Sequence, residues 1–177
     1  MQFVPAVNQI FALLTGVGQV MVLGMIALLI LRQKDALSFI AKRAVLFSFI
    51  IVFAATLGSL FYSEIAGYEP CKLCWFQRIF IFPQVILLGM ALWKKDQGIA
   101  DYSIALSIGG AVIAGYHYLL QFGVAPSLPC SAAVGYAVSC AQRFVTQFGF
   151  VTIPLMAFTA LSTVCMFMIL QKKFIKH

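Results

Sequence analysis

Five long apolar runs constrain the fold of this chain more than any other feature of its sequence. They cover about residues 11–31, 44–62, 73–93, 102–122 and 150–170. Each run has the ~20 residues that an α-helix needs to cross a lipid bilayer. Hydrophobic residues make up 63% of the 177 residues and charged residues only 10%. This composition predicts an all-α integral membrane protein with a single domain covering residues 1–177.

The loop charges predict how the chain is oriented in the membrane. Basic residues cluster at residues 32–43, 94–95 and 172–176, whereas the loop at residues 63–70 is acidic. Because basic loops stay in the cytoplasm, we predict five spans with the N-terminus outside and the C-terminus inside. The first run reads as a retained helix, since it lacks the basic start of a signal peptide. The net charge of +7 is therefore no sign of nucleic-acid binding.

A Cys-x-x-Cys pair, Cys71 and Cys74, lies where the acidic loop meets the third apolar run. Two thiols at this spacing can close a small disulfide ring. Pro70 favours a helix start here, and the free N–H groups of a first helical turn favour thiolate. Arg78 would share a helix face with both cysteines. For the pair alone, a structural disulfide or half of a zinc site remains an alternative.

A second pair, Cys130 and Cys140, lies in the loop at residues 123–149, which the alternation of spans puts outside. Disulfides form and persist in that compartment. The spacing of this pair is loose for a zinc site, and no outer loop carries a histidine. Two outer pairs suggest thiol exchange between them, with a lipid-soluble carrier as the simplest electron acceptor. Cys165, deep in the fifth run, is interpreted as a small core residue.

Two local features carry further expectations. Phe144, Val145 and Phe148 recur at helical spacing, which predicts a short segment lying flat on the outer membrane interface. Pro154 is expected to break the fifth span locally. Gln77 and Gln84, inside the third span, are expected to contact other helices rather than a ligand.

The segment Pro-Cys-x-x-Cys-Trp-x-Gln-Arg at residues 70–78 resembles the DsbB family of membrane disulfide oxidases. It resembles more closely the short-loop branch of that family, called BdbC. Residues 116–121 and 148–154 also resemble family sequence, and the likeness covers about residues 44–172. It implies a core of four helices in the bacterial inner membrane, with the cysteine loops outside. The first run, residues 11–31, is an extra N-terminal span without a counterpart in that core.

The resemblance implies a reaction and a role for each cysteine. The chain would reoxidise an extracytoplasmic thioredoxin-fold thiol oxidase and pass the electrons to membrane quinone, either ubiquinone or menaquinone. The redox-active disulfides would be Cys71–Cys74 and Cys130–Cys140. Cys130 would form the mixed disulfide with the partner, and Cys140 would exchange with Cys71. Cys74 would lie next to the quinone.

Three further residues are candidates for the quinone site. Arg78 would steady the quinone ring, although an arginine reaching towards the membrane surface is the alternative. His117, in the outer third of the fourth span, would donate a hydrogen bond or a proton, although a core imidazole explains it nearly as well. Gln121 lies one turn further along. No metal ion is expected.

Three other functions remain as alternatives. A quinone-linked reductase of the vitamin K epoxide reductase kind shares the helical architecture, but it usually lacks the Trp-x-Gln-Arg continuation. A transporter of reducing equivalents would place its cysteines in the middle of helices. A membrane protein with two inert disulfides would not cycle under mild reductant.

Overall fold

The computed structural model describes residues 3–96, 98–125 and 139–175. In these ranges the chain forms six α-helices, and a π-helical turn at Phe61–Ile65 continues the third. The helices are α1 (Val4–Ile30), α2 (Lys34–Lys42), α3 (Ala44–Leu60), α4 (Lys72–Lys94), α5 (Ala100–Gln121) and α6 (Ile153–Phe174). All of them except α2 belong to stretches that are long and apolar enough to cross a membrane. The predicted all-α fold with five spans is therefore confirmed, and the chain is a multi-pass membrane protein.

Both terminal spans differ from their predicted bounds. Helix α1 begins at Val4 rather than at residue 11, because residues 4–10 carry no charge and Pro5 lies in the first turn. Helix α6 extends to Phe174, and Pro154 is in its first turn. The predicted local break at Pro154 is wrong, since a first-turn residue needs no N–H for a helical hydrogen bond.

Helix α2 replaces most of what the sequence analysis treated as a cytoplasmic loop. Leu37 and Ala41 are buried on one face of α2, while Phe39 on another face is exposed. The buried face packs against α6 and α1. This short amphipathic helix therefore closes the end of the bundle opposite the cysteines.

Close approach and polar contacts join α4, α5 and α6. A Cβ at Gly110 of α5 would lie only 2.8 Å from Leu161 Cδ1 and 2.9 Å from Phe80 Cβ. Glycine is therefore needed for these helices to pack at this depth. Ser103 and Ser107 donate hydrogen bonds to Gln84 Oε1 at 2.8 and 3.2 Å. Gln84 thus binds a neighbouring helix, as expected.

The predicted interfacial segment after Cys140 is not helical. Residues 139–152 contain a turn in which Phe148 and Gly149 have φ values of 53° and 79°, flanked by a bridge between Gln147 and Val151. Val145 is buried against the bundle. The helical spacing of the apolar residues was misleading, because the left-handed turn ends any helix before Phe148.

Candidate active site

The Cys-x-x-Cys pair lies at the start of α4, at what we call the cysteine end of the bundle. Cys71 is the N-cap residue, with extended backbone angles, and Lys72 is the first helical residue. Helix α4 therefore starts at Lys72, two residues after Pro70, where the sequence predicted its start. Cys74 lies in the first turn, where backbone N–H groups have no helical partner.

The two sulfurs are close enough to form a disulfide after a small movement. Cys71 Sγ donates a hydrogen bond to Cys74 Sγ over 3.3 Å, and the two thiols are unbonded. A disulfide requires a separation of about 2.0 Å. Cys140, in the loop between α5 and α6, packs against Cys71. Cys140 is 2% exposed and Cys71 is 5% exposed. Three of the four predicted redox cysteines therefore form one cluster.

The environment of Cys71 favours its neutral thiol. The hydrogen bond with Cys74 and then burial raise the pKa of Cys71 to about 12, although the contact with His117 acts in the opposite direction. An ordinary cysteine has a pKa of about 8.5. Cys71 therefore keeps its proton at neutral pH.

His117 joins the two cysteine segments. Gln77 Nε2 donates a hydrogen bond to His117 Nδ1 at 2.9 Å, which assigns the ring proton to Nε2. That nitrogen lies 3.0 Å from the backbone oxygen of Cys140 and 3.7 Å from Cys71 Sγ. Gln77 thus contacts another helix, as expected, and fixes the tautomer of a histidine that faces the thiols.

Two cysteines and this histidine also make a possible metal site. The ligand atoms of Cys71, Cys74 and His117 all lie within 4.8 Å of one another. Thiolate and imidazole are the usual ligands of structural zinc. No outer loop carries a histidine, but His117 reaches the cysteine pair from α5. Closing the disulfide would remove two of the three ligands.

Arg78 is held inside the bundle. Its Nε donates to Ser59 Oγ at 2.9 Å, and its Nη2 donates to the Ser59 backbone oxygen and to Ser63 Oγ at 2.9 and 2.8 Å. The guanidinium also lies 5.1 Å from the centre of the Trp75 ring. Only 8% of the residue is exposed. The side chain therefore binds the end of α3 and does not extend towards the membrane surface.

Two cavities meet at Cys74 and Arg78, which line both of them. The smaller cavity, of about 60 Å³, is also lined by Cys71, His117 and Gln121. The larger cavity, of about 270 Å³, lies among α1, α3, α4 and α6 and has mostly apolar walls. His117 and Gln121 thus lie on the thiol side and not on the larger cavity.

Tyr62 is a candidate that the sequence analysis missed. It lies in the π-helical turn after α3 and lines both cavities. The residue is only 6% exposed, and its hydroxyl group has no hydrogen-bond partner within the described residues. Gln121 donates from Nε2 to the backbone oxygen of Gln142 at 3.0 Å, while its Oε1 has no partner within the described residues. A phenol near the acidic end of a span was the only signal for Tyr62 in the sequence.

The two remaining cysteines are not part of the described cluster. Cys130 lies outside the described residues, and so does any pairing of Cys130 with Cys140. Cys165 is a free, half-buried thiol on α6. It follows Ile153, at the cysteine end, by about three turns or roughly 18 Å of helix, although Thr163, two residues before it, lines the larger cavity.

A dithiol at one end of a membrane bundle, with a third cysteine packed on it, is the arrangement expected of a membrane thiol–disulfide oxidoreductase. The family model "Disulfide bond formation protein DsbB" matches residues 41–171. The chain therefore belongs to the DsbB family, as the motifs indicated. Helix α1 lies entirely before the matched region.

Curated relatives agree with this family. The chain is 48% identical over 123 residues to "Probable disulfide formation protein C 1" of Bacillus anthracis, covering 68% of this chain and 87% of the relative. It is 39% identical to "Disulfide bond formation protein C" of Bacillus subtilis over 127 residues, 71% of this chain and 89% of the relative. A "Probable disulfide formation protein" of Metapseudomonas resinovorans is 34% identical over 72% of this chain and 88% of the relative. No solved structure gives a significant match.

Proposed function

We propose that this chain is a disulfide oxidase of the bacterial inner membrane that transfers electrons from an extracytoplasmic thiol oxidase to membrane quinone. The partner is a thioredoxin-fold protein with a reactive dithiol. The cysteine end faces outward, in accordance with the loop charges. The observation that carries the proposal is the position of Cys74, which lines both the small cavity shared with Cys71 and the larger apolar cavity.

The loop pair receives the electrons first. The partner dithiol reduces the Cys130–Cys140 disulfide by way of a mixed disulfide at Cys130, and the partner leaves oxidised. The Cys140 thiolate then attacks Cys71 of the oxidised Cys71–Cys74 pair, and Cys74 leaves as a thiolate. Attack of Cys130 on Cys140 restores the loop disulfide and releases Cys71, which takes up a proton. Two electrons have then moved from the loop pair to the pair on α4.

The contacts around Cys71 support this order. His117 holds the backbone of Cys140 at 3.0 Å, while its Nε2 lies 3.7 Å from Cys71 Sγ. Cys140 is thereby kept against the sulfur that it has to attack. Once reduced, Cys71 donates its hydrogen bond to Cys74, which stabilises negative charge on the sulfur facing the larger cavity.

The residues on the larger cavity fit a quinone head group. Such a head has an apolar ring with two carbonyl oxygens. The hydroxyl of Tyr62, which has no partner in the part of the chain that the structure describes, is a donor for one of them. Arg78 brings positive charge to the same end of the cavity. When bound, a quinone supplies an acceptor for two electrons and two protons. Tyr62 and Arg78 would hold it against Cys74.

The test uses purified protein, a reduced thioredoxin-fold partner and a soluble quinone whose reduction is followed optically. We expect quinone reduction that is lost in Cys74→Ser and kept in Cys165→Ser. Oxidation of the partner should match quinone reduction in a one-to-one ratio. Turnover that persists in Cys74→Ser, or partner oxidation without quinone reduction, would contradict the proposal.

A further inference from the structure

Helix α1 supplies one long wall of the larger cavity. Its contribution comes from one stretch of the helix, namely Phe11, Leu14, Thr15, Val17, Gly18 and Met21. The Tyr62 hydroxyl and the Arg78 guanidinium lie at the cysteine end of the cavity. The hydroxyls of Thr15 and Thr163, further along, donate hydrogen bonds to the backbone oxygens of Phe11 and Thr159 in their own helices. From Tyr62 to Ile50 the cavity follows α3 for 12 residues, or roughly 18 Å. The cavity is therefore elongated, with a polar end and an apolar remainder.

The packing of α1 leaves this space open. A Cβ at Gly18 would lie 2.9 Å from Thr159 Cγ2, so α1 rests directly on α6. Towards α3, the close contact is at the cysteine end, where a Cβ at Gly58 would lie 2.7 Å from Cζ of Phe11. The Phe11 ring also lies 6.0 Å from the Tyr62 ring, measured between centres. Phe11 therefore closes the polar end, and the rest of α1 stands away from α3.

The apolar part of the cavity opens towards the lipid. Leu14 and Val17 line it, yet they are 52% and 56% exposed. Ile50 on α3 also lines the cavity and is also half exposed. At about 270 Å³ the cavity is slightly smaller than typical small-molecule sites of roughly 300–1,000 Å³. It has room for a ring and the start of a chain whose remainder lies in the bilayer.

We propose that α1 is the binding wall for the first isoprenoid units of the quinone tail, so that this helix sets the preference for tailed over tailless quinones. The inference rests on the proposed function, because it places the quinone head at Cys74 and Arg78. It assigns a task to a helix that lies outside the region matched by the family model. Apolar tail atoms leaving water or lipid for this wall gain packing contacts along α1.

The experiment compares two glycines on α1. Gly18→Leu places a side chain at the cavity wall against Thr159, whereas Gly16→Leu adds the same side chain where nothing lies within 4 Å. Binding of a tailless quinone and of the same quinone with several isoprene units is measured by equilibrium dialysis in detergent. Quinone that co-purifies from membranes is quantified as a second readout.

We expect Gly18→Leu to weaken binding of the tailed quinone by about tenfold or more and binding of the tailless quinone by less than about twofold. Gly16→Leu should bind both like the wild type. Equal loss of both quinones in Gly18→Leu, or no loss of either, would overturn the inference. A wild-type protein that binds neither quinone would overturn the proposed function itself.

Leu14→Ala provides a second test if Gly18→Leu does not fold. This variant removes an apolar side chain from the proposed tail wall while leaving the α1–α6 contact at Gly18 unchanged. Leu13→Ala is the matched control, since Leu13 is exposed and does not line the cavity. We expect weaker retention of tailed quinone in Leu14→Ala only. Equal retention in the two variants would count against the wall.

Discussion

At the scale of single residues, the site depends on side chains that each contact two parts of the chain. His117 contacts both Cys71 and the backbone of Cys140, and Arg78 joins α4 to the end of α3. The proximity of Cys71, Cys74 and Arg78 was predictable because their spacing along one helix is local. The contact of His117 with the thiols was not, because it depends on how α5 is rotated against α4.

Replacement of Arg78 should affect the quinone step and spare the exchange with the partner. Arg78→Met removes a charge at the end of the larger cavity and three hydrogen bonds to Ser59 and Ser63. Loss of a charge-assisted contact costs roughly 1.5–3 kcal/mol, which corresponds to about tenfold or more in rate. We expect lower quinone turnover and weaker apparent quinone affinity, with partial recovery in Arg78→Lys.

The measurement for Arg78 is quinone reduction against quinone concentration, with trapping of the partner at Cys130 as the control. Ser63→Ala is the matched structural variant, since it removes one of the three hydrogen bonds but leaves the charge. If Arg78→Met reduced quinone with wild-type kinetics, Arg78 would have only a structural role and no part in the quinone step.

Replacement of His117 should affect the earlier step. His117→Phe removes the contact that holds Cys140 near Cys71, but this residue does not line the larger cavity. Losing a buried hydrogen bond costs about 1–3 kcal/mol, so exchange between the loop pair and Cys71–Cys74 should slow by about tenfold. Quinone binding should stay unchanged.

Single-turnover reduction of the Cys71–Cys74 disulfide measures the His117 effect. Gln77→Leu is the companion variant, since it keeps the ring and removes the donor to Nδ1. If His117→Phe lost quinone affinity while thiol exchange between the two cysteine pairs stayed unchanged, His117 would be a quinone-binding residue instead.

The pKa of Cys71 predicts a particular pH dependence of its alkylation. Because the pKa is raised to about 12, the thiol keeps its proton through neutral pH, and the reactive thiolate remains a small fraction. In the reduced protein, alkylation of Cys71 should rise by about tenfold per pH unit from about pH 7 to 10, without a plateau. Peptide-resolved mass spectrometry follows the reaction, with denatured protein as the control. A plateau below about pH 9 would contradict the raised pKa.

At the scale of elements, the five spans were predictable because a bilayer requires continuous apolar runs of helical length. Helix α2 was not, because its buried face consists of only Leu37 and Ala41, and their burial depends on α6 and α1. The turn at Phe148 and Gly149 was also missed, since spacing alone does not reveal a left-handed backbone. The position of Tyr62 on both cavities was also missed, because it depends on the π-helical segment Phe61–Ile65.

Helix α2 should contribute measurably to stability through Leu37. Leu37 is fully buried in the same apolar cluster as Phe167 and Leu170 of α6, so Leu37→Ala should cost about 2–5 kcal/mol of unfolding free energy. Phe39→Ala, on the exposed face, should cost less than about 0.5 kcal/mol. Unfolding of the two variants in detergent measures the difference. Equal stability would mean that α2 is not docked on the bundle.

At the scale of the whole molecule, the loop charges predict which end of the bundle faces outward. A reporter fused ahead of α1 should lie outside, and reporters fused after Asp96 and after Phe174 should lie inside. A reporter enzyme that is active only outside the cytoplasm measures each position. Finding both termini on the same side would contradict the predicted five spans, and the cysteine end could then no longer be assigned to the outside from the loop charges.

The burial of Cys71 and Cys140 also bears on how well an oxidase of this kind is insulated from unwanted reductants. Both sulfurs are almost inaccessible to solvent, and the hollow beside Cys71 measures only about 60 Å³. Thiol exchange needs direct access to the attacked sulfur, so a thiol dissolved outside the cell would reduce the Cys71–Cys74 disulfide only slowly. Under the proposed function, electrons would reach the membrane carrier mainly through the loop cysteines, from a protein that exchanges with them. The oxidising power of the membrane would then be used for disulfide formation rather than lost to dissolved thiols.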